Sequence, residues 1–303
     1  MAISKSQFAL NPIQWLATRD GWIDPRQAPP LQQRLPVIAA SGFSAIKTEI
    51  PDGMAPGDYR ECLALAGISP GPGYVPMPWT EDASARQTFL ERARLTAANN
   101  VAVGVPLVFL AMGMDKEAPR VAHPGVGFDF KPERLEAVRD YLAEAAGIMA
   151  GEGAVPALHP HVGTWIETVE EARFVLDSVD ESILSFGPDA GHLAWTGVDP
   201  AHIITEYAKR VTGIHIKDYH SRFAKRSRDA DVDYRSTVRA GFWTEPGLGD
   251  ANIDEVLTAA GPDFAGWVVM EVDRGTTEPE GSIMRCGSWL SERFTPELCN
   301  QEN

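Results

Sequence analysis

Three histidines, three carboxylates and one lysine in this chain sit at the ends of short apolar runs. Glu49 closes "FSAIKTE", His159 and His161 close "VPALHPH", and Asp189 follows "ILSFGP". His215 and Lys217 lie in "GIHIKD", and Glu271 closes "WVVME". Taking a carboxylate or an imidazole out of water at the end of an apolar strand costs several kcal/mol unless the group is paired. One such residue is ordinary; several at corresponding places call for a shared counter-charge, and a divalent cation is the simplest. A mixed imidazole and carboxylate set suits Mn2+, Co2+, Fe2+ or Zn2+ better than Ca2+. The rival is a set of salt bridges and caps, with Asp189 capping a turn and Glu271 pairing with Arg274.

The elements that must position these residues alternate. Apolar runs predict strands over Gln7–Asn11, Phe43–Glu49, Gly67–Tyr74, Ala102–Ala111, Val155–His159, Ser182–Phe186, Gly213–Lys217 and Trp267–Glu271. Most are continuously apolar, as in a parallel sheet covered on both faces. Helical patterns fill the gaps over Leu31–Ala40, Tyr59–Ala66, Glu81–Asn99, Pro132–Met149, Val169–Ser178, Pro200–Lys209 and Ile253–Ala260, with a last helix over Pro279–Phe294. Eight strand–helix repeats predict an α/β fold, a (β/α)8 TIM barrel, in which strand carboxyl ends converge on one mouth. A doubly wound open sheet is the rival, weakened because no GxGxxG or P-loop follows the first strand. One domain over 1–303 is expected. It carries a long insertion around 218–250, of the kind that forms a lid or active-site excursion, and a C-terminal extension after about 275. The tail from Thr295 is expected to be an arm or unordered.

Charge excludes some partners. The chain has 42 acidic and 27 basic residues, a formal net charge of −15, and its densest basic cluster is Arg222 to Arg228. Nucleic acid and anionic membrane surfaces are poor partners for such a chain. No run of about 18 apolar residues offers a membrane span, and Met1 to Gln7 lacks the apolar core of a signal peptide. The three cysteines, Cys62, Cys286 and Cys299, are odd in number and not in CxxC spacing. They suit reduced thiols in a cytoplasmic protein.

Five motifs then acquire a meaning as an ordered set: "LHPHVGTWIET" (158–168), "PDAGHLAWTG" (188–197), "GIHIKDY" (213–219), "FWTEPGLGDANID" (242–254) and "VVMEVD" (268–273). From about Ala154 to Arg274 the chain resembles the sugar phosphate isomerase/epimerase superfamily, the xylose isomerase-like barrels, and within it inosose dehydratase-like proteins. The first half fits more loosely, through "AIKTEIP" (45–51). The resemblance implies a metal held by one residue from each of the fifth to eighth strands: His159 or His161, then Asp189, His215 and Glu271. Mn2+ or Co2+ comes first, with Mg2+, Fe2+ and Zn2+ also compatible. Many relatives carry Glu where this chain has "HPH", which puts the two-glutamate epimerase mechanism in doubt.

The remaining site residues are assigned with alternatives open. His161 shares the face of His159 by strand period, as ligand or substrate contact. His192 is expected to bond a substrate hydroxyl, and Thr164 to contact another. Lys217 would polarise a carbonyl or pair with Asp218. Glu49 would transfer a proton or pair with Lys47. Trp15, Tyr74, Trp79, Trp195, Phe242 and Trp243 offer rings on which a sugar face stacks, core packing being the alternative, and Trp15 and Trp195 are the chosen substrate contacts. The expected reaction is a metal-dependent dehydration of a keto-cyclitol or keto-sugar. It would run through α-proton abstraction, with Glu271, Lys217 and Glu49 as catalytic candidates, and a metal-stabilised enediolate. Alternatives are a ketose or inosose epimerase or isomerase, an elimination that cleaves an oxidised glycoside, and a non-catalytic sugar-binding subunit. The expected partner is a small polyol or keto-sugar, and a homo-oligomer is compatible with such a barrel.

Overall fold

The computed structural model describes residues 3–294; the tail from Thr295, with Cys299, lies outside the described residues. Eight barrel positions are filled in sequence order. They are β1 (Phe8–Asn11), β2 (Ala45–Ile46), a third position split into β3 (Ser69–Pro70) and β4 (Gly73–Met77), β5 (Leu107–Met112), β6 (Val155–Leu158), β7 (Ser185–Phe186), β8 (Gly213–Ile216) and, closing the circle, β11 (Trp267–Glu271). All pairings along this wall are parallel, and β11 pairs with both β8 and β1. Two bridges, Phe186 to Val211 and Asp189 to His215, join the β7 segment to β8. The chain is therefore a TIM barrel of the (β/α)8 kind.

The helices follow the strands. They include α1 (Leu31–Ser41), α2 (Pro56–Leu65), α3 (Ala83–Ala102), α4 (Pro119–Ala122), α5 (Pro132–Gly151), α6 (Val169–Ser178), α7 (Ala190–Trp195) and α8 (Pro200–Glu206). Their starts follow local rules. Asp82 caps α3 through Ala85 N–H, Pro132 opens α5, and Thr168 with Glu171 makes a capping box on α6. Helix α12 (Pro279–Arg293) buries Ile283, Cys286 and Leu290 and packs on α1. It is thus the barrel's own eighth helix, and the expected C-terminal extension after 275 is corrected to that.

Four strand expectations are also corrected; the run at 182–186 opens in a turn and is a strand only over Ser185–Phe186. The run at 43–49 is a strand only over Ala45–Ile46. The run at 67–74 breaks at Gly71 and Pro72, because proline has no N–H to give the ladder. The run at 102–111 begins with the end of α3; the turn at Gly104, with φ +89°, separates helix from strand. The insertion is folded. It contains β9 (Asp218–Tyr219) paired antiparallel with β10 (Trp243–Thr244), with α9 (Ser221–Ala230) and α10 (Tyr234–Arg239) between them, and α11 (Ile253–Ala259) follows.

Strand parity decides where the chemistry goes. Inside the barrel, Leu107, Phe109, Ala157 and Val269 form a small separate apolar cluster. The outward residues Val108, Leu110, Leu158, Ile214, Ile216, Val268 and Met270 join the large core beneath the helices. Two residues along from each inward position stand His159 (from Ala157) and Glu271 (from Val269). His215 shares that parity and pairs with Val269 in register. The polar layer therefore rests on the Phe109 ring, whose centroid lies 4.2 Å from that of His215 and 5.2 Å from that of His159.

Candidate active site

His159, Asp189 and His215 each offer a ligand atom within 4.8 Å of the others, and all three are buried. The ring of His159 is oriented from behind: its Nδ1 lies 2.8 Å from the Gly187 carbonyl oxygen. A carbonyl only accepts, so Nδ1 carries the proton. Nε2 is left with its lone pair, 3.6 Å from Asp189 Oδ2. Asp189 spends Oδ1 on the His192 N–H at 2.9 Å. Its Oδ2 makes no hydrogen bond but faces the Lys217 ammonium at 3.3 Å, and neither ring nitrogen of His215 has a hydrogen-bond partner among the described residues, although all are buried. Glu271 Oε2 stands 3.1 Å from His215 Nδ1, off the line a hydrogen bond needs. Burying donors or acceptors without a hydrogen-bond partner costs about 1–3 kcal/mol each. A convergent group of them has the chemistry of a cation site, and the nitrogen and oxygen set suits a divalent ion of the Mn2+ to Zn2+ series.

Lys217 is the hub of the neighbouring charges. Its Nζ is 2.6 Å from Glu271 Oε1, 2.8 Å from Asp273 Oδ1, 3.3 Å from Asp189 Oδ2 and 3.0 Å from His192 Nε2. Gly191 makes room for it, because a Cβ there would come within 2.7 Å of Lys217 Cβ and 2.8 Å of the Trp243 ring. Burial opposes the lysine's charge, but Asp189, Asp273 and Glu271 together raise its pKa well above the ordinary value. Burial alone would raise Glu271; Lys217 and His215 instead pull it well below the usual carboxylate range. Asp189, farther from the ammonium, is raised by burial. Asp273 is pushed up to about 7, again by burial first. Burial also depresses His159 and His192 well below the usual imidazole value, and His161 to about 3, so all three rings are neutral at pH 7. His161, His192 and Asp273 make a second cluster of ligand type. Lys217 contacts two of its members, His192 at 3.0 Å and Asp273 at 2.8 Å, more closely than the 3.3 Å at which it approaches Asp189 in the first cluster.

A cavity of about 260 Å3 opens over this layer. His159, His161, Thr164, Glu271 and Asp273 line it, with Asn11, Tyr74, Trp22, Tyr234, Lys47, Lys116 and Arg274 around them. Not every expected residue reaches it. Glu49 is outside the cavity, half-exposed, and stands 3.6 Å from Arg34 rather than beside Lys47. It follows a two-residue strand, so the parity that would aim it inward is lost. Trp15 lies in the main core with its Nε1 donating to Glu280 Oε1 at 3.1 Å. Trp195 is fully buried behind Tyr234, ring centroids 4.9 Å apart, and bonds Ser227. For both tryptophans core packing replaces the expected sugar contact. His192 lies beneath His161, ring centroids 3.5 Å apart, and meets Lys217 instead of the cavity. Lys217 pairs with three carboxylates but not Asp218, whose oxygens accept the N–H groups of Gly247, Gly249 and Ala251. Thr164 lines the cavity, yet its hydroxyl is spent on the His161 carbonyl at 2.8 Å.

Sequence reasoning misses Asp273 and Asn11. Asp273 stands two residues beyond Glu271, so strand parity is an available signal for it. Asn11 ends the first strand and donates to Glu271 Oε2. Tyr234 and Trp22 come from segments with no periodicity that would place them at the site.

Fold and site together define a xylose isomerase-like barrel with a nitrogen and oxygen cluster of metal-ligand type at its mouth. The sequence pattern of the family described as "Xylose isomerase-like TIM barrel" matches residues 58–292, and the chain belongs to that family. Over 146 residues it is 30% identical to inosose dehydratase 2 of a Bacillus cereus strain, covering 48% of this chain and 49% of that protein. The chain thus spans about half the length of the curated relatives it matches. Among solved structures, a xylose isomerase-like TIM barrel protein from Mycobacterium smegmatis in complex with magnesium superposes with a TM-score of 0.70 at 15% identity. The match covers 97% of this chain and 98% of that one. The IOLI protein with a bound zinc atom superposes at 0.67 and 15% identity, covering 95% and 97%.

Proposed function

We propose that this chain is a divalent-metal lyase that removes water from a keto-cyclitol or keto-sugar. The observation that carries the reading is the pair of buried His215 ring nitrogens without a hydrogen-bond partner, converging with Asp189 Oδ2 and His159 Nε2 and bordered by Glu271. Those four residues would hold the ion, Mn2+ or Co2+ by preference. Once bound, the ion supplies Lewis acidity to the substrate's ketone, which acidifies the neighbouring C–H. The inosose dehydratase relatives support the reaction type, and the magnesium and zinc in the two solved structures support the cofactor class.

The chain's own residues complete the chemistry. Glu271 is ionised and faces the cavity, and its Oε1 takes the α-proton. Asp273, also on the cavity wall, holds a proton on Oδ2 and gives it to the departing β-hydroxyl. The C–O bond breaks, its electron pair leaves with the oxygen as water, and the C–H pair becomes the new C=C. Lys217 bridges Glu271 Oε1 and Asp273 Oδ1 and so fixes the spacing of the two carboxyls. It acts as a positioning residue, as does His192 behind it. Burial of the layer excludes bulk water from the proton-transfer atoms. Incubation of the metal-loaded protein with 2-keto-myo-inositol in deuterated water tests this. The expected result is a rising enone absorbance. Deuterium entering the substrate without loss of water would assign an epimerase or isomerase instead.

A further inference from the structure

Three cations on the cavity wall have no part in the chemistry just described. Lys47 follows β2, Lys116 lies in the segment after β5, and Arg274 follows β11, and all three line the same cavity. Among the described residues none has a carboxylate within 4 Å, although the chain carries 15 more acids than bases. Lys47 has only the Tyr74 ring, 5.9 Å from Nζ to centroid, and Lys116 only the Trp22 ring, at 5.0 Å. Arg274 reaches only the Arg19 carbonyl, at 3.5 Å. The acids on the cavity wall, Glu271 and Asp273, are already engaged by Lys217. Asp20, near enough to Lys116 to sense its charge, is engaged by the Thr18 hydroxyl. Arg86, Arg94, Arg120, Arg134 and Arg173, by contrast, each hold a carboxylate. The hydroxyls of a neutral polyol accept hydrogen bonds from these three cations but leave their charge unmatched, whereas an anionic group both accepts such bonds and matches the charge, and is steered in by it.

We propose that the substrate carries a negatively charged substituent, a carboxylate or a phosphate ester, held by Lys47, Lys116 and Arg274 while its ketone end faces His159 and Glu271. This rests on the reading above for the ketone end only; the cations make their own case for the charge. A cavity of about 260 Å3 suits one six-carbon ring or chain with such a group.

Calorimetric titration of the metal-loaded full chain at low salt tests the claim with three probes: D-glucose, D-glucuronate and D-glucose 6-phosphate. One of the two anions should bind at least about tenfold more tightly than glucose, an advantage that shrinks as salt rises. The preferred anion identifies the charge as carboxylate or phosphate. The advantage should vanish in K47Q/K116Q and in R274Q and persist in R222Q, whose side chain lines a different cavity. Equal binding of all three probes, no binding of either anion, or an advantage that survives the cavity variants overturns the proposal. Because the readout is binding, it separates from the lyase assay. A charge preference without enone formation leaves this inference standing and sinks the lyase, and turnover of neutral ketone with no charge preference does the reverse.

Discussion

The two halves of the barrel wall divide the work. The half built from β6, β7, β8 and β11 turns His159, Asp189, His215, Lys217, Glu271 and Asp273 inward, all buried. The half built from β1 to β5 gives the cavity Tyr74, Met112 and Lys47, with Asn11 as its one contact to the carboxylates. One side concentrates titratable groups where water is excluded; the other shapes and charges the space above. Reactivity therefore depends on strand parity, which is rigid, and recognition on the strand residues Tyr74 and Met112 together with the loop that carries Lys47, which sequence change can alter without disturbing the layer.

The comparison breaks most visibly at Glu271. Glu271→Gln keeps the shape but removes the base, so turnover should fall by about 10²- to 10⁴-fold, with a smaller loss of thermal midpoint because Asp189 and Asp273 still pair with Lys217. Steady-state kinetics beside a melting curve separate the two. Lys217→Met should strike stability instead. It strands three buried carboxylates, and breaking a buried pair costs about 3–5 kcal/mol, to be read from denaturant unfolding.

The pH dependence sharpens the same contrast. His161 has a folded pKa of about 3 against an ordinary 6.5, and His159 and His192 are depressed too. A depressed folded pKa means stability that is present above the unfolded value and lost as pH falls toward the folded one. The metal-free protein should thus lose melting temperature steadily below about pH 6.5, and His161→Gln should flatten that slope. The smallest effects belong to residues outside the layer. Glu49→Gln should leave kcat and KM within about twofold, since its ion pair with Arg34 is partly exposed.

Strand parity also explains what is legible in the sequence. Where a strand is long and apolar, as at 267–271, its register leads to Glu271, and the same arithmetic extended by two residues reaches Asp273. Where the wall is two residues long, as at 45–46, parity gives no purchase, and the expectation falls on Glu49 where Lys47 lines the cavity. Trp15 and Trp195 show the other blind spot. A tryptophan near a strand end reads alike whether it faces a cavity or the core, and only tertiary packing separates the two. The insertion at 218–250 is visible as a long connection, but not its helices or the placement of Tyr234 against the site.

The account stands or falls on whether buried imidazole and carboxylate atoms share one cation. Titrating chelator-treated protein with Mn2+ and Co2+ by calorimetry, beside the D189N and H215A variants, addresses this directly. One ion per chain should bind with a rise in melting temperature, and both variants should lose it while remaining folded at neutral pH. Unchanged binding in both variants, or none in the unaltered chain, would contradict the claim.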